Sequence, residues 1–178
     1  MKPKKEAPTS GEAADEQIHP LEVIRQAYRA MEIRFQEDED MIFARLNLQN
    51  VEVQVISYNH PDDLALVIVR LPVRAAPKFR AQAGEFLHRL NFSARRKFWE
   101  IDHNDGEIRL SAYTDTTGAP LTESRFRSIL HCLVMNADTV FPYLTSVLSG
   151  RMTPDFAADQ ADAATAAMWD TNKSEGEE

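Results

Sequence analysis

The stretch from Leu64 to Leu71, L-A-L-V-I-V-R-L, is the feature that most constrains how this chain can fold. It is almost continuously apolar, follows the turn-forming segment H-P-D-D, and ends immediately before Pro72. A short run that is rich in β-branched residues and bounded by turn formers predicts a β-strand rather than a helix. Both faces of this strand are apolar. It therefore belongs in the middle of a sheet that is covered on each side, by helices or by a partner chain.

The patterns on either side of this strand predict an α+β domain with the order α-β-β-β-α-β-β-α and five main strands. Apolar residues at helical spacing follow Pro20, and alternating residues at 41–48 and 51–55 predict two strands before the central one. A second helix is expected over 74–91, and an Asp-Gly turn predicts a hairpin of strands 97–102 and 107–113. A long helix follows Thr122, and Pro142 within it predicts a kink or a break.

Composition divides the 178 residues into three parts. Residues 1–19 are polar and predict a disordered N-terminal tail, and residues 20–151 form the α+β domain. Residues 152–178 predict an acidic, mostly disordered C-terminal tail. This tail contributes −6 of the formal net charge of −8, so the acidity of the chain says little about what the domain binds.

Cysteine content and hydropathy predict a cytoplasmic protein. Cys132 is the only cysteine, so no disulfide can form within the chain. The basic N-terminus has no apolar segment behind it and does not resemble a secretory signal. No window approaches the roughly 20 apolar residues that a membrane-spanning helix needs. We therefore expect no membrane association.

The sequence contains no motif that indicates catalysis, a cofactor or a metal. The histidines lack metal-ligand spacing, and the nucleophile, phosphate-binding and dinucleotide-binding motifs are missing. We therefore predict no enzyme activity, no catalytic residue and no cofactor. An unrecognised enzyme stays open as an alternative, which a bound metal or cofactor in the purified protein would favour.

A basic stretch is the one charge feature with a possible function. Eight basic residues and one acidic residue lie between residues 70 and 97. Arg74, Lys78, Arg95 and Arg96 are candidates for binding an anion or an acidic partner segment. The alternative is a solvated helix face and turn. Trp99 is a candidate for a binding groove or an interface, and the alternative is that it fills the core.

The chain from residue 21 to residue 150 resembles the YbjN-type family of bacterial sensory-transduction regulators. The resemblance rests on the strand L-A-L-V-I-V-R-L-P-V, the helix end H-R-L-N-F, the hairpin W-E-I-D-H-N-D-G-E-I-R-L and the closing N-A-D-T-V-F-P-Y-L-T-S-V-L-S-G. It implies a twisted antiparallel sheet with helices, similar to class I type III secretion chaperones and commonly a homodimer. It provides no catalytic residues to carry over.

Our first functional hypothesis is a non-enzymatic binding module, chaperone-like or regulatory, that works as a homodimer and binds an unidentified protein client. Its basis is a sheet that is apolar on both faces and has only three main helices to cover it. The second hypothesis is recognition of an anionic ligand or a nucleic acid by the basic stretch. The aromatic residues near that stretch have core spacing rather than that of a stacking platform, so nucleic acid is not the expected partner.

Overall fold

A computed structural model describes residues 18–94 and 97–174 of the chain. In chain order its elements are α1 (Pro20–Ala30), β1 (Phe35–Asp38), β2 (Met41–Asn47), β3 (Glu52–His60), β4 (Leu64–Arg74), a 3₁₀ turn (Pro77–Phe79), α2 (Arg80–Ser93), β5 (Phe98–Ile101), β6 (Glu107–Asp115), α3 (Glu123–Leu148) and α4 (Pro154–Ser174). The α+β class is confirmed. The tail predicted before Pro20 lies outside the described residues, except for residues 18 and 19.

The sheet has the strand order β1-β2-β3-β4-β6-β5, and every neighbouring pair is antiparallel. The interior position predicted for the apolar strand is confirmed, because β4 lies between β3 and β6. The strand continues beyond its predicted end. The pairing of β4 with β6 is irregular between Arg70 and Arg74, around Pro72. A proline lacks the N–H that a regular ladder requires, and a bulge accommodates it.

The sheet has six strands among the described residues rather than the five predicted. The additional strand is β1, which pairs with β2 from Phe35 opposite Ala44 to Asp38 opposite Met41. Of the four acidic residues at 37–40, only the last two lie between the strands. Glu37 remains in the strand, where Arg25 of α1 pairs with its carboxylate at 2.8 Å. Charged residues are common on edge strands, where they discourage pairing with another chain.

Helix α3 continues through Pro142, so the predicted break is not present. A proline cannot donate to the carbonyl four residues earlier, which here belongs to Asp138. The side-chain amide of Asn50, in the turn between β2 and β3, donates to that carbonyl at 3.3 Å. The backbone N–H of Asn50 also donates to the Asp138 carboxylate at 2.6 Å. The carbonyl of Asp138, which the proline leaves without a helical partner, thus accepts a hydrogen bond that joins α3 to the turn between β2 and β3.

Residues 154–174 form helix α4, which differs from the mostly disordered tail that we predicted. The helix packs on α2 and α3 through Ala157, Ala158 and Ala161, which are all buried. Because alanine side chains are small, they allow close approach of the helix without bulky apolar residues at the contact. Ser93 at the end of α2 donates to the Asp162 carboxylate at 3.3 Å, which adds a polar contact.

The helices cover one face of the sheet, which we call the closed face. On β4 it carries Ala65, Val67 and Val69, all part of the buried core. Tyr28 of α1 lies against this face. Its hydroxyl is 3.0 Å from that of Ser57, and its ring meets Phe126 of α3 edge-on at 5.3 Å. No helix in the described ranges is long and apolar enough to cross a membrane.

Candidate binding surface and the adjacent cleft

The opposite face of the sheet, which we call the open face, carries a band of apolar side chains that crosses the strands. Pairing places Phe43, Ile56 and Ile68 in one row and Tyr58, Leu66 and Tyr113 in the next. We define the apolar band by the residues Met41, Phe43, Ile56, Tyr58, Leu66, Ile68, Phe98 and Tyr113. Large apolar side chains in adjoining rows form one continuous surface rather than scattered contacts.

The apolar band has no covering element among the described residues. Ile56 and Ile68 are buried by their neighbours within the band, yet neither belongs to the core beneath the helices. At the margins Tyr113 is 56% exposed and Phe98 is 41% exposed, and their rings stack at 5.8 Å. We predicted that both faces of β4 would be covered. Helices cover only the closed face, and a continuous apolar patch that no helix covers is typical of an interaction site.

A row of polar and charged side chains borders the apolar band on one side. Pairing aligns Gln54, Arg70 and Arg109 across the central strands. The Arg109 guanidinium donates to the Glu100 carboxylate at 2.9 Å, and the Ser111 hydroxyl donates to the same carboxylate at 2.6 Å. An apolar centre with a polar margin is the usual arrangement of a protein–protein interface.

The edge strand β5 is closed to further strand pairing at Trp99. The side chain of Asn91, at the end of α2, accepts from the Trp99 N–H at 2.7 Å and donates to the Trp99 carbonyl at 2.8 Å. A neighbouring strand would use the same two backbone groups. Because they are occupied, the addition of a strand at this edge is disfavoured. The open face, rather than the β5 edge, is therefore the candidate binding surface.

A cleft of about 590 Å³ lies beside the apolar band, between β6 and α3. It forms where β6 extends beyond β5, because β5 pairs only with residues 108–111. We call it the Lys97 cleft, and its walls include Lys97, Phe98, Tyr113, Ile129, Cys132 and Leu133. Phe98 and Tyr113 thus belong to both the band and the cleft.

Lys97 is the half-buried charged group of this cleft. Its ammonium donates to the side-chain carbonyl of Asn136 on α3. Burial lowers the pKa of Lys97, while the nearby Cys132 and Asp162 act in the opposite direction. Burial also raises the pKa of Asp162, although its hydrogen bond from Ser93 and the Lys97 charge oppose this effect. Asn136 in turn donates to the Cys132 carbonyl at 3.0 Å, which fixes its orientation.

The structure places two of the four predicted anion-binding residues, and it does not bring them together as a free cationic site. Arg74 pairs with the carboxylates of Asp105 and Glu107 in the β5–β6 hairpin. Lys78 lies over the Phe79 ring, with its nitrogen 4.8 Å from the centroid. Arg95 and Arg96 lie outside the described residues. Since Arg74 already has two acidic partners, its anion-binding role stays a prediction.

Trp99 lies on the closed face and is 4% exposed. Its ring contributes to the core cluster, which agrees with the alternative that we gave for it. It also lines a smaller cavity of about 290 Å³ beneath α4, together with Asn136 and Trp169. Its role in partner binding stays a prediction, whereas the Asn91 contacts give its backbone a definite part in closing the β5 edge.

Sequence reasoning missed several residues of this surface. It identified both faces of β4 as apolar, but it did not identify Phe43 or Tyr58 as neighbours of Leu66 and Ile68. The alternation of β2 gave a usable signal, because Phe43 lies on the opposite face from the buried Ile42 and Ala44. The burial of Lys97 had no such signal, since it depends on α3 packing against a segment about 40 residues away.

Across the described ranges, no three histidine, cysteine or acidic side chains form a metal-binding group.

Comparison with known proteins assigns the chain to a family. A family model described as "Putative bacterial sensory transduction regulator" matches residues 20–146. The chain belongs to the YbjN family. Its structure is similar to a crystal structure described as "YbjN, a putative transcription regulator from E. coli", with a TM-score of 0.55 and 13% sequence identity. The similarity covers 75% of this chain and 93% of that one, and at this identity it shows the fold. No curated protein matches the chain.

The region that the YbjN model matches contains all six strands and nearly all of α3. It therefore includes both the open face and the residues of the Lys97 cleft. Helix α4 lies beyond the matched residues. The family description names a regulator.

Proposed function

We propose that this YbjN-family protein is a non-enzymatic, regulatory or chaperone-like protein-binding module that works as a homodimer, with the open face as the contact between two copies. The observation that carries the proposal is the apolar band, which extends over neighbouring strands without cover in the described part of the chain. The expected similarity to class I type III secretion chaperones is part of this proposal, as is a cytoplasmic location.

The size of the open face is suitable for a stable dimer. The six strands together contain 44 residues, and each residue occupies about 3.3 Å along its strand and about 4.8 Å across the sheet. The resulting area of roughly 700 Å² is close to the ~800 Å² that each partner of a standard interface buries. Burying a surface of this size between two copies would remove the apolar band from water.

The polar border is compatible with pairing of identical surfaces. In a two-fold dimer each patch meets another copy of itself, so a border with charges of one sign would repel. Here the border carries arginines together with Glu100, and Arg109 already neutralises that carboxylate. The helices remain on the outside of such a dimer, where they form the surface available to a protein client.

The oligomeric state tests this proposal. We expect sedimentation or light scattering at micromolar concentration to give twice the chain mass of 20.2 kDa. Leu66→Asp places a carboxylate in the middle of the apolar band and should give a folded monomer. Phe92→Asp is the matched control, because Phe92 is 93% exposed at the end of α2. It should leave the dimer intact.

Two results would contradict the proposal. The first is a monomeric wild-type protein at concentrations where interfaces of this size are normally occupied. The second is a dimer that survives Leu66→Asp and dissociates with Phe92→Asp, which would move the contact to the helical side. Circular dichroism of both variants separates loss of association from loss of folding.

A further inference from the structure

The Lys97 cleft has the composition of a ligand pocket. Its volume of about 590 Å³ lies within the ~300–1,000 Å³ range of small-molecule sites. Ile129 and Leu133 of α3 provide one apolar wall, and the stacked rings of Phe98 and Tyr113 provide the other. The cleft also carries the polar side chains of Thr114, Asp115, Arg125 and Ser128, so its two apolar walls favour a ligand with an apolar body and a polar end.

Lys97 lies between this cleft and the smaller cavity beneath α4, and its ammonium has no carboxylate paired with it in the described part of the chain. Asp162, whose charge acts on Lys97, lines that smaller cavity and not the cleft. Among the described residues no acidic group forms an ion pair with it, and its described hydrogen bond goes to the neutral amide of Asn136. An ammonium group has three N–H donors, so this contact leaves donor capacity for another acceptor. A half-buried charge is costly unless it is paired, and an anionic group of a ligand would provide the pair.

The other charged groups of the cleft do not provide this pair. Asp115 lies on the same wall, but its carboxylate accepts from the backbone N–H of Thr117 at 2.8 Å and from the Thr117 hydroxyl. These contacts, together with the nearby charge of Arg125, lower the pKa of Asp115. Asp115 therefore has its own partners, and Lys97 is the group that a ligand would address.

We propose that the Lys97 cleft binds a small monocarboxylate with an apolar body, whose carboxylate pairs with the Lys97 ammonium and whose apolar part lies along Ile129, Leu133 and Phe98. The cleft volume sets the size of the ligand, because it accommodates an apolar body that is either a chain of moderate length or a ring. The polar end of the ligand meets Lys97, which lies outside the apolar band, whereas its apolar end shares Phe98 with the proposed dimer contact.

Binding of octanoate, measured by calorimetry below its micelle concentration, tests the charge preference. We expect saturable binding of octanoate, and at least tenfold weaker binding of octanol and octylamine, which have the same chain without the carboxylate. Lys97→Met keeps the length of the side chain and removes the charge, and it should weaken octanoate binding at least tenfold. Arg29→Met is the matched control, because it removes an exposed positive charge on α1 away from the cleft, and it should bind octanoate as the wild type does.

The single cysteine gives a second readout at the same place. Cys132 lines the cleft, so bound octanoate should slow its labelling by a thiol reagent. Ser128, on the exposed surface of α3 at the cleft, allows a variant that fills the pocket without touching Lys97. Ser128→Trp should abolish octanoate binding while the helical circular dichroism signal remains unchanged.

The proposal would be overturned by octanoate and octanol binding equally, by no octanoate binding up to millimolar concentration, or by unchanged binding in Lys97→Met. Protection of Cys132 that persists in Ser128→Trp would also overturn it, because the ligand would then lie elsewhere. Repeating the titration with Leu66→Asp separates the two proposals. Binding in that variant supports the cleft whether or not the wild-type protein is a dimer.

Discussion

The two faces of the sheet have similar apolar content and different environments. Strand β4 contributes Ala65, Val67 and Val69 to the closed face, and Leu66 and Ile68 to the open face. The first set lies beneath helices, and the second has only its neighbours in the sheet. The difference shows that the hydrophobicity of a strand indicates a need for burial but does not specify whether the same chain provides it.

The polar groups of the two faces also differ in their exposure to water. On the closed face, Tyr28 and Ser57 are buried and satisfy each other's hydroxyl groups. On the open face, Arg109 and Glu100 form an ion pair in which each side chain is 42% exposed. A buried pair contributes more when it is formed and costs more when it is broken, because water cannot replace the lost partner.

The largest expected effect comes from placing the same carboxylate on each face in turn. Val67→Asp buries an unpaired charge beneath the helices, where Val67 is 2% exposed, and should destabilise the fold by about 4 kcal/mol or more. Leu66→Asp, one residue away on the open face, should cost the monomer about 1 kcal/mol or less. Urea denaturation of both variants at submicromolar concentration measures the difference. Equal losses would show that the open face is covered in the folded monomer.

An effect of intermediate size is expected from the buried tyrosine on the closed face. Burial raises the pKa of Tyr28 to about 12, although its hydrogen bond with Ser57 acts in the opposite direction. Tyrosine in an unfolded chain has a pKa near 10. Above that value the unfolded state loses a proton that the folded state keeps. The contribution of Tyr28 to stability is therefore complete below pH ~10 and is lost as the pH rises towards about 12.

Comparison with Tyr28→Phe isolates this effect from the other titrating groups. We expect the wild-type protein to lose about 2 kcal/mol relative to the variant between pH 9 and pH 11.5, measured by urea denaturation. A difference that stays constant over this range would show that the Tyr28 hydroxyl is accessible to water in the folded state, and that the closed face is less tightly packed than the structure indicates.

The smallest effect is expected at the polar border of the open face. Arg109→Gln removes the ion pair with Glu100, but both side chains are partly exposed, so the loss should be below about 1 kcal/mol. It should decrease further between 50 mM and 500 mM salt, because salt screens exposed charges. A loss above about 2 kcal/mol that is independent of salt would place this pair in a buried environment and would weaken the contrast between the faces.

Much of the fold could be predicted from the sequence because its signals are local. The position of β4 inside the sheet follows from an apolar run between turn formers, and Gly106 marks the hairpin turn with a φ of 80°. The start of α1 at Pro20 and the Thr122 cap of α3 follow from side chains next to the helix ends. Each of these features depends on a few consecutive residues.

The features that the sequence did not reveal depend on contacts between distant segments. Helix α4 is ordered by alanines that fit closely on α2 and α3, and composition alone suggested a loose tail. Arg74 looked like part of an unpaired basic stretch until the hairpin placed Asp105 and Glu107 beside it. The half-burial of Lys97 likewise arises from α3, so neither its charge nor its position identified it as a site.

The amide of Asn91 has a consequence for how large an assembly of this protein can become. Strand addition at an edge leaves a new edge each time, so it has no natural end point and leads to fibres. When two copies pair through their open faces across a two-fold axis, both open faces are buried and the assembly ends at a dimer. The Asn91 side chain binds the outward-facing N–H and carbonyl of Trp99, and it thereby protects β5 from the strand addition that leads to fibres.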